Sequence, residues 1–365
     1  MHALLEGKKL GMDTAAVFTK PAITPERQEF YDRLHTKHVA PLWEVLGRII
    51  PAQPTPEAIP VLFRYDDLRP FLMEAGRLLT PQEAERRVLI LENPGLRGQS
   101  RLTQSLYAGL QLILPGETAP VHRHAASALR FVIEGHGAFT AVEGERTTMS
   151  PGDFILTPSW TFHDHGNPGE EPTVWMDGLD IPIVNLFDTS FLERPEEEGQ
   201  VDRVPEGDAS VRYGSNMLPV DFTPTRPSSP VFNYPYVRTR ETLDVMHRNG
   251  PIHPSHGVKM RFVNPATGGY PMPTIGAFMQ LLPKGFSGQP YRSTDATIYS
   301  VVEGEGSTTI GGTRFDWRPR DIFAIPSWAP VRHSASIESV LFSFSDRPAQ
   351  LALGLWREQV PVAGL

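Results

Sequence analysis

Through most of the chain apolar residues either alternate with polar ones or run together for a few positions, and glycine or proline closes nearly every run. From Val88 the runs read V-L-I-L-E-N-P-G, S-L-Y-A-G-L-Q-L-I-L-P-G, L-R-F-V-I-E-G, F-I-L-T-P and T-V-W-M-D-G-L-D, each a predicted strand. Spaced about ten to fifteen residues apart with no long helix between them, they suit a small β-barrel rather than βαβ units. Residues two apart on a strand share a face. Unbroken strands therefore put His122, His124, Ala128 and Arg130 on one face, group Tyr107, Gly109 and Gln111, and pair Trp175 with Asp177. Directed inward together, these sets form a pocket that is polar at one end, and a bulge would reverse the arrangement.

Ahead of the strands, Thr24-Pro25-Glu26 combines a capping hydroxyl, a proline at the first helical position and an early acid. It predicts a helix to about His38, with Phe30, Tyr31 and Leu34 as its apolar stripe and His35 and His38 as packing or surface residues. The proline-rich run I-P-A-Q-P-T-P-E-A-I-P must be extended, a strap across a core. Thr80-Pro81-Gln82-Glu83 has the form of a capping box, with Arg86 and Arg87 following within that short helix. Sequence alone does not choose which of the two looks inward. Residues 187–250 form a long connection with an acidic, solvated front, becoming helical near Glu241.

The second half repeats the first. L-L-P-K-G-F-S-G-Q-P-Y-R-S aligns with I-L-P-G-E-T-A-P-V-H-R-H, V-V-E-G with V-I-E-G, and R-P-R-D-I-F-A-I-P-S-W with S-P-G-D-F-I-L-T-P-S-W. In that register Tyr291 replaces His122, Ser293 replaces His124, Val331 replaces His163, and His333 matches His165. The expected organisation is an N-terminal helical region with straps over 1–100, a first barrel over 101–190, a linker over 191–250 and a second barrel over 251–365. Only the first barrel keeps a set of candidate metal ligands.

Composition narrows the function. With 365 residues the chain can hold two domains with their own cores, and 40% hydrophobic residues with 21% charged ones argue against disorder. The 36 prolines and 31 glycines favour short strands and many turns. A net charge of -8 provides no basic stripe for nucleic acid, so an anionic substrate needs local arginines. No cysteine occurs, which excludes disulfides, thiolate metal sites and cysteine nucleophiles. The start M-H-A-L-L-E-G-K-K-L lacks a signal peptide's apolar core, and no run approaches the roughly eighteen apolar residues of a membrane span. The expectation is a cytoplasmic protein.

The chemistry concentrates between Gly116 and Asn167. His122 and His124 can present both imidazoles to one point, and His163 returns about forty residues later, after turns at Gly135 and Pro151-Gly152-Asp153. Three neutral imidazoles suit a transition metal. His136, His247, His253 and His256 lie near glycine or proline turns and are expected to be exposed, without a role.

The histidine motif, the V-I-E-G and P-S-W-T-F-H-D-H-G-N segments, P-L-W at 41–43 and W-M-D-G-L-D-I-P resemble the cupin superfamily. Doubled, with one ligand set, they resemble the bicupin ring-cleaving dioxygenases of the gentisate 1,2-dioxygenase family, whose relatives act on salicylate and 1-hydroxy-2-naphthoate. The resemblance implies a mainly β bicupin, two double-stranded β-helix (jelly-roll) barrels with an N-terminal helical region, assembled as a homotetramer. Where cupins in general place a glutamate ligand this chain has Ala128, and the gentisate group lacks that glutamate as well. Three neutral imidazoles leave a ferrous ion its full double charge, which favours an anionic chelator. The resemblance implies Fe(II), a small aromatic acid and dioxygen as partners, and ring cleavage of gentisate to maleylpyruvate.

It further implies Arg130 as partner of the substrate carboxylate, Arg86 as a second anion contact, and Gln111 and Tyr107 as pocket walls. His165, two beyond His163, becomes an acid–base candidate, with Asp177 fixing its tautomer; the two could instead be a satisfied buried pair. Salicylate or 1-hydroxy-2-naphthoate cleavage is the rival within the scaffold. A bicupin binding or storage protein would need no histidine triad beside Arg130, His165 and Asp177, and a sugar isomerase would call for the carboxylate missing at Ala128.

Overall fold

The structure is a computed structural model describing residues 22–196 and 199–360, so the N-terminal M-H-A-L-L-E-G-K-K-L lies outside the described residues. Chain contacts divide it into two compact units, residues 1–53 and 54–365.

In the first unit, helix α1 (Pro25–His35) starts where the cap signal places it, with the Thr24 hydroxyl accepting from the Arg27 amide. It ends three residues before the expected His38, which sits in a turn at φ 57°. Helix α2 (Leu42–Ile49) follows, and the Tyr31 hydroxyl ties the pair, donating to Glu44 at 2.7 Å and accepting from the Trp43 indole at 2.8 Å.

The second unit opens with β1 (Val61–Phe63), α3 (Tyr65–Leu78), α4 (Pro81–Ala84) and β2 (Val88–Ile90). The capping box of α4 is formed, but the helix closes at Ala84, leaving Arg86 and Arg87 beyond it rather than within it. The first barrel follows as β3 (Tyr107–Ile113), β4 (Thr118–His124), β5 (Ala128–Glu134), β6 (Phe139–Val142), β7 (Glu145–Thr148), β8 (Phe154–Thr157), β9 (His163–Gly166) and β10 (Thr173–Leu179). The connection holds α5 (Ile181–Leu186), β11 (Leu192–Glu193), α6 (Asp208–Tyr213), β12 (Asn233–Tyr234) and α7 (Tyr236–Asn249). The second barrel runs β13 (Val258–Arg261), β14 (Gly276–Leu282), β15 (Phe286–Ser287), β16 (Arg292–Ser293), β17 (Thr297–Glu303), β18 (Gly306–Ile310), β19 (Thr313–Trp317), β20 (Ile322–Ile325), β21 (Val331–Ala335) and β22 (Ser339–Ser345), closed by α8 (Arg347–Ala352).

Each barrel is a large sheet facing a small one. The first has orders β12-β8-β5-β10-β3-β2 and β11-β4-β9-β6-β7, and the second β1-β20-β17-β22-β14-β13 and β15-β21-β18-β19. Strand parity decides which side chains go where. Leu129, Phe131 and Phe154 point out of the first barrel and join Met279, Ile298, Phe342 and Phe344 in one shared core, where the Phe131 and Phe342 rings stack at 4.1 Å. Each such side chain is worth roughly 1.5–3 kcal/mol of burial. Gly178 permits the close approach, since a Cβ there would meet the Phe344 ring at 2.7 Å.

The repeat reaches further than the barrels. β1 pairs with β20 of the second barrel, and Asp321 then accepts from the Tyr65 amide at 3.1 Å and from Arg64 at 2.7 Å at the start of α3. β12 pairs with β8 of the first barrel, and Asp153 accepts from the Tyr236 amide at 2.8 Å at the start of α7. Helix α7 thus begins at Tyr236, earlier than the expected Glu241, because its amide partner is an aspartate of the first barrel's P-G-D turn. The two V-x-E-G glutamates are matched as well: Glu134 takes Arg69 and Arg320, and Glu303 takes Arg240 and the Tyr236 hydroxyl.

Candidate active site

The three histidines come from two neighbouring strands, β4 and β9. β4 carries His122 and His124 on its inner side, while the intervening Arg123 faces outward to Glu193 and lies over the Trp160 and Phe162 rings. A register shift in the β4–β9 pairing falls between Ala119 and His122, ahead of the two ligands, so their parity survives and His122 sits opposite His163. The three rings lie 4.6–5.3 Å apart between centroids, and one nitrogen from each lies within 4.8 Å of the others. Among the described residues this is the one group of three or more potential side-chain ligands.

The ring nitrogens test whether a metal fits. His124 Nδ1 lies 2.7 Å from the Ala126 carbonyl and His163 Nδ1 3.0 Å from the Thr161 carbonyl. An N–H pointed at a carbonyl fixes Nδ1 as the donor and leaves the Nε2 lone pair for a metal. Burial, reinforced by Arg86 at His122, holds the His122 imidazole down to about 2; burial likewise holds His124 at about 4 and His163 well below its usual range. All three are neutral near pH 7, as ligation requires. The donor set fits a transition ion, with Ala128 supplying no carboxylate.

Two arginines make the surroundings cationic. Arg130, buried on β5, lies opposite Asp177 of β10; its Nη1 donates to Thr157 Oγ1, and its Nε stands 3.7 Å from Asp177 Oδ1. That Nε has no hydrogen-bond partner among the described residues. Burial overrides the pairing in both groups, moving Arg130 down to about 10 and Asp177 up to about 6. Arg86 donates through Nη2 to the Pro120 carbonyl at 2.8 Å and reaches 3.4 Å from His122 Nδ1. Arg87 instead forms a buried ion pair with Glu117, so Arg86 is the one beside the triad.

The walls follow parity. On β3, Gln111 lies opposite Trp175 and Gly109 opposite Asp177, with Tyr107 at the strand's start. Gly109 is required by a close approach, because a Cβ there would meet Val88 Cγ1 at 2.5 Å and the Tyr107 hydroxyl at 2.9 Å. His165 is fully buried, with its centroid 5.9 Å from His163 and 5.2 Å from the Trp175 ring.

One expected contact is replaced. Asp177 Oδ1 accepts from the Trp175 indole at 2.9 Å, and the neighbour of His165 Nδ1 is the Thr140 hydroxyl at 3.0 Å. Thr140, not Asp177, is therefore the side chain in hydrogen-bond contact with His165. Thr140 and Thr157 add to the residues that the sequence singles out; their sequence signal is a threonine on an inward position of a mostly apolar strand. His256, expected to be exposed, is only partly so: it packs edge-on to Tyr291 at 4.3 Å and is held down to about 2 by burial and Lys259.

Residues 109–181 match the cupin domain family. Gentisate 1,2 dioxygenase 1 from Aquipseudomonas alcaligenes is 58% identical over 339 residues, covering 93% of this chain and 98% of that protein. This chain belongs to the gentisate 1,2-dioxygenase family. The family's members include a 5-aminosalicylate 1,2-dioxygenase from Comamonas sp, 36% identical over 89% of this chain and 88% of its own length. A salicylate 1,2-dioxygenase from Pseudoaminobacter salicylatoxidans, solved as adducts with gentisate, superposes with a TM-score of 0.88 at 32% identity, covering 95% of this chain and 97% of that one. The mainly β bicupin fold and the ring-cleaving dioxygenase class implied by the sequence motifs are those of the family.

Proposed function

We propose that this protein cleaves gentisate, 2,5-dihydroxybenzoate, between the carbons bearing the carboxyl and 2-hydroxyl groups, adding both atoms of dioxygen to give maleylpyruvate. The observation that carries the reading is a triad of neutral imidazoles without a carboxylate, set beside two arginines. When bound by His122, His124 and His163, a ferrous ion supplies the redox chemistry joining ring and dioxygen, and its undiminished charge favours a carboxylate–hydroxyl chelate. Arg130, whose buried Nε makes no hydrogen bond among the described residues, binds the substrate carboxylate. Arg86 adds a second positive charge, and the two together draw an anion into a protein whose net charge is -8. Gln111 and Tyr107 line the ring, and His165 handles a proton of a ring hydroxyl. Asp177 holds Arg130 and Trp175 in place.

Specificity for gentisate is supported by Tyr107, whose phenol, raised by burial, stays a neutral hydrogen-bonding group. Salicylate retains the chelating pair but lacks the 5-hydroxyl, leaving a polar wall unpaired and the ring poorer in electrons. Oxygen uptake by iron-reconstituted protein should show gentisate consumed with much the higher kcat/KM. Comparable values for salicylate or 1-hydroxy-2-naphthoate would transfer the assignment to the rival substrate. We further infer a cytoplasmic homotetramer. Family membership supports it, as do the exposed Leu42, Trp43, Leu46 and Ile49 along α2, and light scattering reads the mass directly.

A further inference from the structure

His165 and His333 occupy matching places, each facing a threonine across a strand pair: Thr140 for His165, Thr308 for His333. Their Nδ1 atoms lie 3.0 and 2.9 Å from the threonine hydroxyls. The barrels differ one step further out. On the next strand Thr140 faces Thr147 and Thr308 faces Phe315; two residues beyond each stand Met149 and Trp317. Thr140 Oγ1 lies 3.6 Å from Met149 Sδ, and Trp317 Nε1 lies 2.9 Å from Thr308 Oγ1. A thioether can only accept a hydrogen bond, and an indole N–H can only donate one.

We propose that Met149 and Thr140 hold His165 with its proton on Nδ1, presenting an acceptor lone pair at Nε2, while Trp317 and Thr308 hold His333 in the opposite tautomer. With the Thr140 proton directed at sulfur, its oxygen accepts from His165 Nδ1–H. Both contacts are then made, and only the Nε2 lone pair is left over. The reverse tautomer would lose the sulfur contact and leave a buried N–H without an acceptor, the rarer defect. In the second barrel the Thr308 oxygen accepts from Trp317, which offers no acceptor in return, so the Thr308 proton goes to His333 Nδ1 and the ring proton to Nε2; this leaves one donor unmet, whereas the other tautomer would leave both the Thr308 proton and the Nε2 lone pair unmet. Both Nε2 atoms are buried without a hydrogen-bond partner among the described residues. Among the described residues no carboxylate is hydrogen-bonded to either ring.

This inference rests on the proposed hydroxybenzoate chemistry for its use, though not for its geometry. His165 shares the inward face of β9 with His163, so an acceptor at its Nε2 receives the proton of a ring hydroxyl: the O–H bond breaks, an N–H bond forms, and the electron pair stays on the phenolic oxygen. The resulting imidazolium keeps its Nδ1–H on Thr140. The donor tautomer could not take that proton. Thr140 and Met149 are positioning residues, acting through His165.

A neutron diffraction structure of the iron-loaded, deuterium-exchanged full-length protein tests the assignment without substrate. The expected map has a deuteron on Nδ1 of His165 and on Nε2 of His333. Any other distribution, including the same tautomer in both barrels or a doubly protonated His165, overturns it. Kinetics tests the use made of it. Thr140→Val should lower kcat about tenfold with KM and iron content unchanged, and Thr140→Ser should restore it. An unaffected kcat, or a failed rescue by serine, removes the positioning role. If gentisate proved to be the wrong hydroxybenzoate, the deuteron positions would stand, so the two claims fail separately.

Discussion

His122 faces His163 across one strand pair of the first barrel, and at the matching place in the second Tyr291 faces Val331. Arg130 corresponds to Tyr299, and Val88 to Lys259, each pair fixed by the same strand register. In the second barrel Tyr291, Tyr299, Trp317, Phe323 and Val331 belong to one buried apolar cluster, with Tyr299 stacked on Phe323 at 4.8 Å. The corresponding cluster of the first barrel is smaller, made of Ile113, Val132, Ala138, Met149, Ile155 and Trp175. Lys259 donates to the Tyr299 hydroxyl at 3.0 Å, with burial and Arg347 bringing its amine down to about 7. One frame thus serves two ends. Polar inward residues converge on a three-histidine metal-binding site in one barrel, and aromatic ones fill the other.

The largest effect should separate the barrels outright. His163→Ala should abolish ring cleavage and most iron binding while the fold persists, since the metal occupies a site in an already sizeable core. Val331→Ala, its counterpart, should cost stability and leave kcat/KM alone. Loss of activity in Val331→Ala with the melting temperature unchanged would break the division of labour.

Next comes Arg87, whose matching residue is Val258. Arg87→Met strands Glu117 and should lower unfolding free energy by about 3 kcal/mol in denaturant titrations, with little change in KM. Arg86→Met should do the reverse. Equal effects from the two would return the choice between these arginines to an open question.

Arg130→Lys keeps the charge but loses the planar fork and should cost about 1.5–3 kcal/mol, roughly ten- to hundredfold in kcat/KM. Tyr299→Phe, at the matching position, should leave kcat/KM unchanged. A neutral outcome for Arg130→Lys would remove it from the carboxylate.

The smallest effect is a pH dependence. His165 is held well below its ordinary range and His333 down to about 3, in each case first by burial. Below pH 6.5 the unfolded chain takes up protons that these folded rings refuse. The stability each contributes is thus present above pH 6.5 and lost as pH falls, by up to about 1.4 kcal/mol per unit. Asp177 and Asp346, both raised to about 6, act in the opposite sense and offset this only below that value. His333→Gln should flatten the fall in melting temperature between pH 7.5 and 5.5 and spare activity. His165→Gln should flatten it similarly and lose activity.

Much of this contrast is legible in the sequence. Period-two alternation and the turn glycines place His122, His124, Arg130, Gln111 and Asp177 on inward faces, because side-chain direction follows from parity once a strand is given. The repeat register correctly sets Tyr291 and Val331 against the missing ligands. Partners distant in sequence are what escape. The start of α7 depends on Asp153, the orientation of Arg130 on Thr157, and that of His165 on Thr140 and Met149. The strands β1 and β12 look like strap and linker because each pairs with a barrel far away in sequence, and no local pattern records such a pairing.

Iron content per chain tests the central contrast most directly. Ferrous reconstitution followed by desalting and metal analysis should give one iron per chain, falling to nearly none in His163→Ala. Two tightly held ions per chain, or one retained in His163→Ala, would mean that the filled barrel also binds metal and would contradict the account.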